Sequence, residues 1–93
     1  MDRIERALLI RRQGRILKYM RLRMRLRVDE VSESVKGVSP EKLCAFESGK
    51  VSPSLYILAK LCENYNATMN EQLFFCTHPG VHEKLWKENF FNL

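Results

Sequence analysis

Apolar residues recur along this chain at intervals of three and four, in short runs separated by Gly and Pro. Ile16, Leu17 and Met20 share one helical face and predict a first helix reaching about Arg23. One stretch contradicts that period: from Met20 to Val28 the residues Met-Arg-Leu-Arg-Met-Arg-Leu-Arg-Val alternate strictly, as in a half-buried strand. No second strand-like segment exists for it to pair with, and a lone strand leaves its backbone groups unbonded. The expectation is therefore helix to about Arg23, then a turn. A short helix over about 28–35 follows, with Val31 and Val35 as its buried pair.

Gly14, Gly37, Gly49 and Gly80, with Pro40, Pro53 and Pro79, punctuate the pattern, and no Asn-Gly or Asp-Gly hairpin signal occurs. This predicts an all-α chain. Ser39-Pro40 and Ser52-Pro53 each offer an N-cap hydroxyl followed by a proline suited to the first helical position. Leu43 and Phe46 share a face between them, and Gly49 can take the left-handed conformation that ends a helix. From Pro53 to Asn64, Leu55, Leu58, Leu61 and Cys62, with Tyr65 beyond, form one apolar stripe. After the break at His78-Pro79-Gly80, a terminal helix carries Val81, Leu85, Trp86, Phe90 and Phe91.

With 93 residues and 45% apolar content, the chain suits one core. Its apolar stretches, such as Ala7 to Ile10, are far short of the roughly 20 residues a membrane span needs. Asp2 and Glu5 near the start argue against a secretory signal, and an odd count of three cysteines reads as reduced thiols in the cytoplasm. The charge is lopsided. Residues 1–27 hold ten Arg or Lys against two acids, a net +8, whereas residues 28–93 hold six Lys against nine acids, a net −3. Such asymmetry suits a polyanion, because neutralised phosphates release counterions. Enzyme chemistry is not expected: there is no Gly-rich phosphate loop, and the two histidines lack a nucleophile partner. No metal or other cofactor is expected either, since Cys76, His78 and His82 lie close without a paired Cys motif.

The order Leu26 to Gly37, then Val38-Ser39-Pro40-Glu41-Lys42-Leu43-Cys44-Ala45-Phe46-Glu47-Ser48-Gly49-Lys50, then Pro53-Ser54 with Leu58, Leu61, Cys62, Tyr65 and Leu73, resembles the Cro and lambda-repressor-like helix-turn-helix family. The most specific element is Phe46-Glu47-x-Gly49-Lys50-x-x-Pro53-Ser54. The resemblance implies a compact five-helix bundle over 14–76, preceded by a basic arm or helical extension over 1–13 and followed by an additional C-terminal helix over 77–93. It also implies a bacterial or phage transcription regulator in the nucleoid, with no small-molecule substrate evident. The expected activity is repression, as a homodimer on a palindromic site in double-stranded DNA. Arg21 would pair with Glu47 across the first and third helices, because a carboxylate beside buried Phe46 needs a partner.

Departures from the family pattern are local. An additional residue near Val35-Lys36 lengthens the turn, Arg27 and Val28 replace the usual polar cap and glutamine, and Arg25 in place of a glycine suggests a helical conformation there. Base reading would fall to Ser39, Glu41, Lys42 and Ala45, with Cys44 nearby. Lys42 can donate to guanine, Glu41 accept from cytosine, and Ala45 meet a thymine methyl. Phosphate contacts would come from Arg15, Lys18, Arg27, Lys36 and Lys50. Arg3, Arg6, Arg11 and Arg12 extend along the duplex or form the solvated face of a helix whose Ile4 and Leu8 face the core. Val81, Leu85, Trp86, Phe90 and Phe91 either pair with a second copy, the reading preferred here, or cover the chain's own core. A protein-interaction module, antitoxin-like or anti-repressor, is the alternative function.

Overall fold

A computed structural model describes residues 2–90, which form six α-helices and, among the described residues, no strand. They are α1 (Arg3–Arg23), α2 (Val28–Ser34), α3 (Pro40–Glu47), α4 (Leu55–Asn64), α5 (Met69–Thr77) and α6 (Pro79–Phe90). The ambiguous stretch resolves as helix, then turn. Arg25 N–H donates to Leu22 O at 2.9 Å and Leu26 N–H to Arg21 O at 3.2 Å, so the turn's backbone is satisfied by the helix end and not by a neighbouring strand. This closure needs a left-handed residue, and Arg25 supplies it with φ of +56°, contrary to the helical conformation expected there. The same pair of bonds ends α3, where Gly49 has φ of +77°, and α4, where Asn66 has φ of +54°.

Gly14 does not punctuate the chain. It lies mid-way along the continuous helix α1, because a Cβ there would stand 2.2 Å from the Phe46 carbonyl oxygen and 2.8 Å from that of Glu47. Glycine lets the α1 backbone touch the last turn of α3. Of the two forms expected for the basic N-terminal segment, arm or helical extension, residues 3–13 take the second as the N-terminal half of α1, and Ile4 and Leu8 face solvent, not the core.

Two other expectations shift register. Ser54, not Ser52, caps α4 by accepting the Ile57 N–H at 3.2 Å, while the Ser52 hydroxyl donates to Gln13 Oε1 at 2.9 Å. The later start rotates Leu55 outward to 73% exposure, leaving Leu58, Leu61, Cys62 and Tyr65 buried. On α5, Thr68 accepts the Glu71 N–H, and Gln72 and Phe75 turn inward; Leu73, a matched position in the resemblance, is 64% exposed.

The core is assembled on α1. Ile16, Leu17, Tyr19 and Met20 meet Val31, Val35, Val38, Leu43, Phe46, Leu58, Leu61, Tyr65 and Phe75 in one cluster. Arg21 is buried with them and held by Glu47 through a fork at 2.7 and 3.0 Å, with a third bond to Leu26 O at 2.8 Å. The fork raises the already high pKa of the Arg21 guanidinium. It ties the end of α1 to the end of α3 and to the turn entering α2.

The C-terminal helix closes on the same chain. Tyr19 lies within 5.1 Å of the His82 ring, 5.6 Å of Phe90 and 6.2 Å of Trp86, centroid to centroid. Leu85, Trp86 and Phe90, nominated for pairing with a second copy, therefore cover the chain's own core. Each is half-buried there, so part of its apolar surface is already taken up within the chain. Val81 stays exposed, and Phe91 lies outside the described residues.

Candidate nucleic-acid interface

The α2–turn–α3 segment owes its shape to local signals. Glu30 accepts the Arg27 N–H at 2.9 Å to start α2, Gly37 takes φ of +87° in the turn, and the Ser39 hydroxyl accepts the Lys42 N–H at 3.1 Å to start α3. Leu43 and Phe46 anchor α3 inward. Its opposite face is uncovered by any other described element: Glu41, Lys42, Cys44 and Ser48 are exposed and Ala45 is half-buried.

Four of these fall in line. Glu41, Cys44, Ala45 and Ser48 recur at helical spacing and, with Pro40 and Lys50, line an open groove of about 540 Å³ along the outer face. Cys44 and Ser48 thus join Glu41 and Ala45 along it. Ser48 was not singled out from the sequence, although its spacing of seven from Glu41 carries the signal. Lys42 does not line the groove, and the Ser39 hydroxyl is engaged as the cap.

The nominated phosphate ligands divide into engaged and free. Arg15 bonds Glu83 through both Nε and Nη2 and stacks 4.2 Å above the Trp86 ring, so α6 occupies it. That contact holds the Glu83 carboxyl below its ordinary range. Arg27 bonds Asp29 at 3.1 Å, lowering the pKa of that carboxylate. Lys18, Lys36 and Lys50 are exposed and have no carboxylate oxygen within 4.0 Å among the described residues. Lys18 sits one turn beyond Gly14 on α1 and is exposed. Lys50 borders the groove itself.

No three His, Cys, Asp or Glu side chains converge as a metal set among the described residues, and no described helix is long and apolar enough to cross a membrane. Cys44 is exposed, Cys76 half-buried and Cys62 buried, and burial raises the pKa of the last two thiols. Comparison with protein-family models, curated proteins and solved structures finds no match for this chain.

Proposed function

We propose that the protein is a sequence-specific regulator that binds double-stranded DNA through the outer face of α3, in the manner of the lambda-repressor-like helix-turn-helix proteins its sequence resembles. The observation that carries this reading is the uncovered α3 face, held rigidly from behind by the buried Arg21–Glu47 fork and bordered by Lys50. A helix of this size fits the major groove, where side chains at its N-terminal half meet base edges. Glu41 accepts from cytosine N4, the Ala45 methyl meets thymine, and Cys44 and Ser48 supply short polar contacts. Lys18, Lys36 and Lys50 hold the duplex through its phosphates. The protein acts in the cytoplasm as a homodimeric repressor, each copy reading one half-site.

Selection from random duplexes tests the proposal. An enriched two-fold motif is expected, and Glu41→Ala is expected to relax preference at one base pair per half-site, costing about 1–3 kcal/mol of discrimination. Enrichment of nothing would remove α3 as a reader. A second reading, a protein-interaction module on the same scaffold, is favoured by one observation: the acidic Glu41 lines the groove, where phosphates repel it. Salt separates the two, since duplex binding weakens with a log–log slope of about −0.9 per phosphate contacted.

A further inference from the structure

The N-terminal half of α1 carries a second surface, on the side that faces α5 and lined by no residue of α3. Every residue from Asp2 to Leu8 is exposed, with Ile4 at 73% and Leu8 at 45%, so this end of the helix packs on little of the bundle. It is nonetheless a finished helix end, because the Asp2 carboxylate accepts the Glu5 N–H at 2.8 Å. Towards α5, Leu9, Ile10, Leu73 and Cys76 floor an open cleft of about 390 Å³ that also carries Arg6. Another side of the same segment presents Arg3, Ile4, Leu8 and Arg11. Among the described residues, Arg3, Arg6 and Arg11 have no carboxylate oxygen within 4.0 Å.

The chemistry of the cleft selects its occupant. Duplex DNA satisfies the guanidinium groups but sets Leu9, Ile10 and Leu73 against anions and water, with no gain from their burial. A two-fold pairing of this cleft brings Arg6 towards its own equivalent, while Glu5 is the one acid of the segment not engaged in capping and does not line the cleft. An apolar stripe flanked by carboxylates meets both demands. We propose that the cleft between the N-terminal half of α1 and α5 docks an acidic amphipathic helix of another protein, its apolar side chains seated on Leu9, Ile10 and Leu73 and a carboxylate on Arg6, which lines the cleft with them. The inference does not depend on the DNA reading.

The test uses the full chain and a labelled synthetic peptide of about 18 residues, with Leu at i, i+3, i+4 and i+7 and Glu elsewhere. Two controls carry Lys for Glu, or the same composition scrambled. Fluorescence anisotropy is expected to show the Glu peptide binding at least about tenfold tighter than either control, and more weakly as salt is added. Arg6→Glu and Leu73→Glu are each expected to weaken it about tenfold. Both positions are exposed, so unchanged circular dichroism will confirm folding; Lys42→Ala on α3 is expected to leave peptide binding intact. Equal affinity for the three peptides, or no effect of Leu73→Glu, overturns the proposal. So does self-association in sedimentation that the same substitutions abolish without peptide binding, which assigns the surface to a second copy. Binding to vesicles of anionic lipid in place of the peptide overturns it in favour of a membrane surface.

Discussion

A single hydrogen atom at Gly14 lets α1 and α3 touch, since a methyl group there would collide with backbone oxygen at 2.2 Å that no side-chain rotation can move. Gly14→Ala is therefore expected to destabilise the protein by about 3 kcal/mol in urea melts, despite alanine's better helix propensity. The Arg21–Glu47 fork makes the converse case, for each side chain is less than a tenth exposed. Glu47→Ala strands a buried guanidinium and is expected to cost about 3–5 kcal/mol; a loss below about 0.5 kcal/mol would show the charge reaching water instead. At Arg25 the left-handed backbone costs a non-glycine residue about 1–2 kcal/mol. Arg25→Gly removes that strain but adds unfolded-state entropy, so a net stabilisation of up to about 1 kcal/mol is expected.

Among the elements, α6 has a built-in sensitivity to acid. His82 is 4% exposed, its Nε2 has no hydrogen-bond partner, and the rings of Tyr19, Phe75 and Trp86 surround it. Burial holds its imidazole below the ordinary 6.5; Glu83 pulls the value up and Arg15 pushes it down. The unfolded chain takes up a proton near 6.5 that the folded one refuses, so stability is full above that pH and falls as pH drops towards the folded value. Trp86 is the sole tryptophan, and its fluorescence is expected to report this loss below about pH 6.5, with a melting midpoint lower at pH 5 than at pH 7.5. His82→Phe is expected to flatten the dependence. Much of this element order was legible: Ser39-Pro40 and Gly49 bound α3 as their chemistry requires, and the period of Leu58, Leu61 and Cys62 marks the inner face of α4. The limits of that legibility are physical. Ser52 and Ser54 are equally good caps in sequence, and only tertiary structure gives Ser52 its bond to Gln13. The aromatic period of α6 is equally compatible with a second copy and with Tyr19 as its cover. Glu83, which takes Arg15 away from any phosphate, is 68 residues distant along the chain.

Across the whole molecule, the N-terminal excess of positive charge does not form one uniform face. Arg21 and Arg23 are tied to Glu47 and Glu71, Arg15 to Glu83, and Arg27 to Asp29, which leaves Lys18, Lys36 and Lys50 as the nominated phosphate ligands without an acidic partner among the described residues. Lys50→Ala is expected to weaken binding to all duplexes alike and to reduce the salt slope by about one per copy, whereas Arg27→Ala is expected to alter the slope by less. Titration at several salt concentrations measures both. The spine position of α1 also governs how the chain acquires its structure as it leaves the ribosome. This helix precedes the elements that cover its buried face, α3, α4, α5 and α6, the last of which ends at Phe90. Ile16, Leu17 and Met20 must therefore wait exposed until α6 has been made. Cooperative folding of the bundle is late relative to the synthesis of α1, and a nascent chain stalled before α6 displays an arginine-rich helix whose native cover is incomplete.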